Sequence, residues 1–232
     1  MATLSAAGYR SRTLAEFADD VRSGTWPGPK TVILTFDDGF ENFFTEAAPV
    51  LREFSFSATV FLVTSKCGGF NDWSGNPPEL PRARLLSWGQ IRQLSDEGIE
   101  FASHTLTHPE LTCVSSDTSA IEITRSKTVI EDAIGKPVVS FAYPFGRFTS
   151  AVRRVVEDTY STACSTNLGR VCPTSDMHAL QRIDAYYLSN PKSLEKLESP
   201  WMDGYFSFRQ ALRNVRGAMR NYPGAVSSAR NN

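Results

Sequence analysis

At 232 residues, with 41% apolar and 21% charged side chains, the chain is long enough for a substantial core and has the composition of a globular protein. Its formal net charge of −1 argues against bulk electrostatic attraction to nucleic acid or an anionic membrane. No run approaches the roughly 18 apolar residues that would span a bilayer. Four scattered cysteines (Cys67, Cys113, Cys164, Cys172) form neither a C-x-x-C pair nor a zinc-finger spacing, so they read as free thiols. Met1 to Gly8 has no basic region leading into an apolar stretch, hence no signal-peptide pattern. That favours a cytoplasmic protein, unless a longer native N-terminus has been trimmed.

In chain order, Thr13 opens a first helix with Glu16 completing a capping box, and Leu14, Phe17, Ala18 and Val21 share one face up to Gly24. No strand is expected before it, which is an odd start for an alternating fold. Trp26-Pro27-Gly28-Pro29 is a loop into the apolar, β-branched run Thr31 to Phe36, which ends in Asp37-Asp38-Gly39. Adjacent carboxylates repel, and burying either requires a partner such as a cation. Asp and Gly are also ordinary turn residues, so on this stretch alone a site and a plain turn stand level.

A helix follows with Phe43, Phe44, Ala47, Val50, Leu51 and Phe54 at helical spacing, kinked or started late by Pro49. Ala58 to Thr64 is wholly apolar in its centre, as expected of a strand buried on both faces. Residues 65 to 83 are rich in Gly, Pro and Asn and include Trp73, the composition of a long loop at a binding site. Ser87 and Gln90 form a second capping box, opening a helix that closes at Gly98. Ile99 to Ser103 is a short strand leading into His104. Further expected elements are helices near 117–134 and 150–158 and strands at 138–143, 161–166 and 180–187.

This alternation implies a parallel sheet covered by helices, with six or seven strands in a barrel-like α/β fold whose chemistry sits at the C-terminal strand ends. The chain divides into a lead-in with its helix (1–29), a main unit (30–198) and a basic C-terminal helix with a tail (199–232), in one structural domain overall. In the last segment Phe208, Leu212, Val215 and Met219 repeat at four-three-four spacing beside Arg209, Arg213, Arg216 and Arg220. The favoured expectation is a helix docked on the barrel with a solvated basic edge. A sharper one is a weak contact with a membrane surface or an acidic protein partner. The final dozen residues are expected to be disordered.

Two of the three histidines fall in Ser103-His104-Thr105-Leu106-Thr107-His108-Pro109. On a helical turn, imidazoles at i and i+4 lie one above the other and reach one ion, although a surface pair at this spacing is more commonly only solvated. Here the pair follows a buried strand and would face the Asp37-Asp38 strand end. Two imidazoles and a carboxylate make an open, three-ligand metal site.

Together, Thr35-Phe36-Asp37-Asp38-Gly39, His104-Thr105-Leu106-Thr107-His108-Pro109 and Tyr143-Pro144-Phe145-Gly146 resemble the first three motifs of the polysaccharide deacetylases, the NodB-homology or carbohydrate esterase family 4 enzymes. The resemblance covers roughly residues 30 to 190. It implies a distorted (β/α) barrel of about seven parallel strands and metal-dependent removal of acetyl groups, N-acetyl above O-acetyl, from an acetylated glycan. It further implies that Asp38, His104 and His108 bind one divalent ion, with zinc expected first and cobalt or nickel as alternatives. Asp37 would be the general base and the Phe145 backbone N–H an oxyanion donor, on a turn shaped by Pro144 and Gly146. Tyr143 and Phe145 would floor a sugar ring; for Tyr143, plain turn chemistry stands level with that role.

Two positions depart from the family pattern. Ala142 stands where an arginine commonly orients the base, and Leu180-Gln181-Arg182 puts an arginine where a histidine commonly acts as general acid. Arg182 cannot donate a proton at ordinary pH. It is expected to pair with Asp37 or to stabilise the oxyanion, with an ion pair to Asp184 as the structural alternative. His178, four positions earlier, is a less favoured acid. No aspartate pair of a fourth motif is evident; Ser165-Thr166-Asn167 marks its expected place. Alternative functions are a metal-retaining but catalytically weak or inactive carbohydrate-binding module, and a related C–N bond hydrolase acting on a small amide. Nucleic-acid binding through the C-terminal arginines is disfavoured by the overall charge.

Overall fold

The computed structural model describes residues 1–76, 79–190, 193–194 and 196–220, with side chains described as far as residue 215. The elements that position the site are the strands. β1 (Arg10–Arg12) pairs in parallel with β2 (Thr31–Ile33), and β3 (Thr35–Phe36), β4 (Thr59–Leu62), β5 (Glu100–Ser103), β6 (Ser140–Ala142), β7 (Thr162–Leu168) and β8 (Leu180–Arg182) form a second, all-parallel sheet in sequential order. This is the curled half-barrel with helices that the alternation implied, and the six-stranded sheet agrees with the strand number expected.

Two expectations are corrected at the N-terminus. The short helix α1 (Ala2–Ala6) and β1 precede α2 (Leu14–Arg22), so a strand does come before the capped helix. The single strand expected over 31–36 is also two. Its ladder with β1 ends at Arg12 opposite Ile33, and the Leu34 carbonyl then accepts from Thr59 N–H, which passes the chain to the second sheet.

Burial on both faces explains the apolar run of β4, in which all four residues are inaccessible to water. Alternate residues point to opposite sides of the sheet. Val60, Leu62, Phe101 and Phe141 belong to the larger core, which includes the outer helices α3 (Ala48–Glu53), α4 (Trp88–Asp96), α5 (Ser116–Ile134) and α6 (Ser150–Thr159). Phe61, Ala102, Ala142, Cys164 and Leu180 form the inner face, which Leu14 and Phe17 of α2 close. The small residues there leave room for α2.

A polar belt fixes this plug at the first residues of successive strands. Glu100 accepts from Ala15 N–H (3.0 Å) and from the hydroxyls of Thr59 (2.6 Å) and Ser140 (2.7 Å), and Thr162 continues the belt to Ser140. Glu100→Ala strands three donors at once. We expect it to cost about 3 kcal/mol in chemical denaturation at unchanged m-value; a loss under ~0.5 kcal/mol would show that water replaces the carboxylate.

Pro49 has the expected effect: a π-helix over Phe43–Ala47 gives way to α3, with the proline in its first turn. Both capping boxes form, Thr13 with Glu16 and Ser87 with Gln90. β8 is shorter than expected, because the Asp184 side chain accepts from Tyr186 N–H and turns the chain into a 3-10 helix, Ala185–Leu188.

The C-terminal helix α7 (Pro200–Arg220) docks, but not by its four-three-four stripe. Met202 and Phe206 are buried against Leu168, Ile183, Tyr187 and Leu188, whereas Phe208, Leu212 and Val215 are exposed. Arg209 and Arg213 turn onto the Tyr187 ring, and Arg213 also donates to the Thr166 carbonyl (3.2 Å), so the basic edge is partly a docking edge. The side chains of Arg216, Met219 and Arg220 and the tail expected to be disordered lie outside the described residues. No helix among the described residues is long and apolar enough to cross a membrane.

Candidate functional site

The C-terminal ends of β3, β5, β6 and β8 deliver Asp37 and Asp38, His104, Phe145 and Arg182 to one edge of the sheet. Non-glycine residues with positive φ number six among the described residues, and four of them are here: Asp38 (71°), Thr105 (72°), His108 (64°) and Phe145 (58°). Such backbone costs energy and persists only where surrounding contacts over-determine it. His104 and His108 are therefore not stacked on a helical turn, as their spacing suggested. They sit in an irregular loop whose left-handed residues fold the second imidazole back onto the first.

The result is close convergence. His104 Nε2 and His108 Nε2 are 3.3 Å apart, and each is 3.6 Å from Asp38 Oδ1. His104 Nδ1–H donates to the Ala142 carbonyl (2.7 Å), which leaves the Nε2 lone pair facing inward. Burial, reinforced by His104, lowers the His108 pKa to about 3, so its imidazole is neutral at ordinary pH. Burial also raises the Asp38 carboxyl, with the Asp37 charge adding to that effect and His104 opposing it. Asp38 Oδ1 is buried without a hydrogen-bond partner. Three inward-facing acceptors without a shared proton repel one another, and a cation removes the conflict.

The spacing fits as well. Two ligands about 2.1 Å from one ion at tetrahedral angles stand roughly 3.4 Å apart, as these three atoms nearly do. The set of one carboxylate and two imidazoles suits a divalent metal with positions left open.

Asp37 lies outside this ligand set and is held by Arg182 in a bidentate pair: Nη1 donates to Oδ1 (2.6 Å) and Nη2 to Oδ2 (2.9 Å). Arg182 Nε donates to the Ser165 carbonyl (2.9 Å), which fixes the guanidinium plane. Burial pushes the Asp37 carboxyl up, but Arg182, His104 and His108 outweigh it and hold the group below its usual range. Of the ion pairs anticipated for Arg182, the one with Asp37 forms and the one with Asp184 does not; Asp184 faces Arg213 instead.

The Tyr143 expectation is overturned in favour of a core role. Tyr143 is fully buried, stacked on Phe148 and hydrogen-bonded to the His178 carbonyl (3.0 Å), so it cannot floor a sugar ring. Pro144 is buried too. Phe145 remains at the site, its ring 4.9 Å from that of His108. The turn requires Gly146, because a side chain there would collide with Thr166. His178 faces the Tyr160 carbonyl (3.0 Å), before the start of β7 and so at the opposite end of the sheet from Asp37. At Ser165-Thr166-Asn167 there are hydroxyls and backbone, with Thr166 reaching the Phe145 carbonyl (3.5 Å).

Two further residues shape the site, one from the loop already read as binding-site-like and one that sequence reasoning missed. Trp73, from the long loop, packs on His108 at 4.8 Å and helps line an open cavity of about 780 Å³ with Lys66, Glu110, Phe145 and Arg147. Glu122 of α5 accepts from the backbone between the two histidines. A sequence separation of 14 between His108 and Glu122 gives no local signal.

A family model described as polysaccharide deacetylase matches residues 25–163. The Bacillus subtilis protein YxkH is 26% identical over 177 residues, 76% of this chain and 59% of that one. The chitooligosaccharide deacetylase of a Bradyrhizobium species is 32% identical over 108 residues, 46% and 42% of the respective lengths. Among solved structures, the Streptococcus pyogenes deacetylase PplD in complex with acetate superposes with a TM-score of 0.75 at 25% identity, covering 85% of this chain and 83% of that one. The chain thus spans less than two thirds of the two sequence relatives named.

Proposed function

Because the chain belongs to the polysaccharide deacetylase family, we propose that it hydrolyses the acetyl amides of N-acetylated amino sugars in a glycan, with Asp38, His104 and His108 holding one divalent cation. The observation that carries this reading is the division of labour between adjacent carboxylates. Asp38 converges with the two imidazoles, while Asp37 is left out of the ligand set and kept ionised by Arg182. A divalent ion bound there supplies Lewis-acid activation of water and of the amide carbonyl.

The chain's own groups do the rest. Asp37 takes the proton of the attacking water. The Phe145 backbone N–H, on its left-handed turn beside His108, donates to the developing oxyanion. His104 and His108 are committed to the cation and His178 faces away, so no imidazole of this chain is placed to protonate the leaving amine. The proton that Asp37 accepts is therefore the one it returns. That the Bradyrhizobium relative is a chitooligosaccharide deacetylase and that PplD is a deacetylase with bound acetate supports acetyl transfer to water.

The test is acetate release from N-acetylglucosamine oligomers of β-1,4 and β-1,6 linkage. Release is expected to vanish with chelator and to return with zinc, cobalt or nickel. Chelator-resistant release would overturn the metal-dependent reading. The missing imidazole favours a second reading, a metal-retaining carbohydrate-binding module of weak or no activity; metal binding without acetate release from any acetylated glycan would select it.

A further inference from the structure

Helix α5 turns polar side chains toward the sheet where an outer helix normally buries apolar ones. Ser119, Glu122 and Ser126 are all buried, at i, i+3 and i+7 on one face. Each meets a segment around the histidines: Ser119 donates to the Leu111 carbonyl, and Ser126 and Ser103 share a hydroxyl contact of 2.6 Å. Glu122 makes the densest set. Its Oε2 accepts from Leu106 N–H (2.9 Å) and Thr107 N–H (2.9 Å), and its Oε1 accepts from the Thr107 hydroxyl (2.7 Å).

Those residues lie between His104 and His108. The loop is left-handed at Thr105 and again at His108, and Pro109 follows, although a residue before proline is driven toward extended backbone. Within the loop, Thr105 Oγ1 accepts from His108 N–H (3.0 Å). The Thr105 and Leu106 carbonyls are also held, by Thr64 N–H (3.2 Å) and Ser65 N–H (2.9 Å), but none of these contacts occupies the N–H groups of Leu106 and Thr107. Relaxation would swing the His108 imidazole off the point it shares with His104 and Asp38. The buried carboxylate supplies the missing constraint, because it takes the two central N–H groups that no strand or helix accepts.

We propose that Glu122 is a positioning residue of the metal centre: by accepting both central N–H groups of the 104–108 loop, it maintains the strained backbone that aims His108 at the cation. The inference rests on the metal-site reading above. It makes Glu122 part of the site without contact to metal or substrate.

The experiment is calorimetric titration of the full chain with zinc, alongside urea unfolding of each metal-free variant. Glu122→Met keeps the length and removes every acceptor; divalent affinity is expected to fall about 10–100-fold. Glu122→Gln can present its carbonyl oxygen to both N–H groups and its amide to the Thr107 hydroxyl, and should stay within about threefold of the unmodified chain. Ser119→Ala, on the same buried face but bonded away from the histidine loop, should change affinity less than twofold even where it lowers stability. If Glu122→Met does not fold, the exposed Thr107→Val, which removes one of the three bonds, should weaken zinc about threefold. Undiminished affinity in folded Glu122→Met, or an equal loss in Ser119→Ala, overturns the proposal and leaves the metal site standing. Absence of zinc binding by the unmodified chain overturns the metal-site reading itself.

Discussion

Asp37→Asn should retain the divalent cation and lose acetate release by about 10²–10⁴-fold, the range that a positioned general base contributes. The substitution is isosteric, and its amide oxygen still accepts one bond from Arg182, so the barrel edge is preserved. The amide nitrogen has no lone pair to take the proton of water. Metal affinity separates Asp37 from its neighbour: zinc binding within about threefold of the unmodified chain is expected for Asp37→Asn and a much larger loss for Asp38→Asn, since only the latter carboxylate converges with the imidazoles. Full activity in Asp37→Asn would remove Asp37 from the mechanism. Loss of metal instead would make it a ligand.

Arg182→Met should move the acid limb of the pH–rate profile upward. In the native protein, burial raises the Asp37 carboxyl and the guanidinium, with the two histidines, more than reverses this. Removing the arginine leaves burial opposed only by the imidazoles, so the base protonates at higher pH. The stability consequence has the same sign. A carboxylate whose folded pKa is depressed contributes stability that is present above its unfolded value, near 4, and is lost as pH falls through the folded value. The penalty of Arg182→Met should therefore be largest at neutral pH and shrink in acid. The Asp37 side chain retains 36% exposure, so solvent screens the pair and the neutral-pH penalty is expected to be about 1–2 kcal/mol, below that of a fully buried pair. An unshifted acid limb would mean that something other than Arg182 sets the ionisation of Asp37.

These two outcomes bear on Ala142, the position at which the family resemblance implies an arginine. The Ala142 side chain packs on the inner face of the barrel and its carbonyl orients His104. The base is served from β8 instead, by a guanidinium 145 positions away in sequence.

Local chemistry was legible. Thr13 with Glu16 and Ser87 with Gln90 announced helix starts because a capping box is complete within four residues. The even burial of β4 followed from its apolar run, and the residue types of the metal set from Asp37-Asp38 and the His104–His108 spacing. The sequence alone thus determined a parallel α/β fold, a set of residues at its strand ends that could hold a metal, and the absence of the arginine and histidine that the resemblance implies. It misjudged whatever depends on which surfaces meet. Tyr143 was a credible sugar platform until Phe148 and the His178 carbonyl claimed it. The stripe Phe208, Leu212, Val215 was a credible docking face, but docking fell to Met202 and Phe206, which meet Leu168 and Tyr187. The histidine pair was assigned a helical turn, because i,i+4 spacing says nothing of a carboxylate fourteen residues further on. Only the tertiary structure decided that the loop is left-handed at both ends, that Glu122 holds it, and that Arg182 is the partner of Asp37. The last two are hydrogen bonds between residues far apart in sequence, and such pairings are made only when the folded chain brings their elements together.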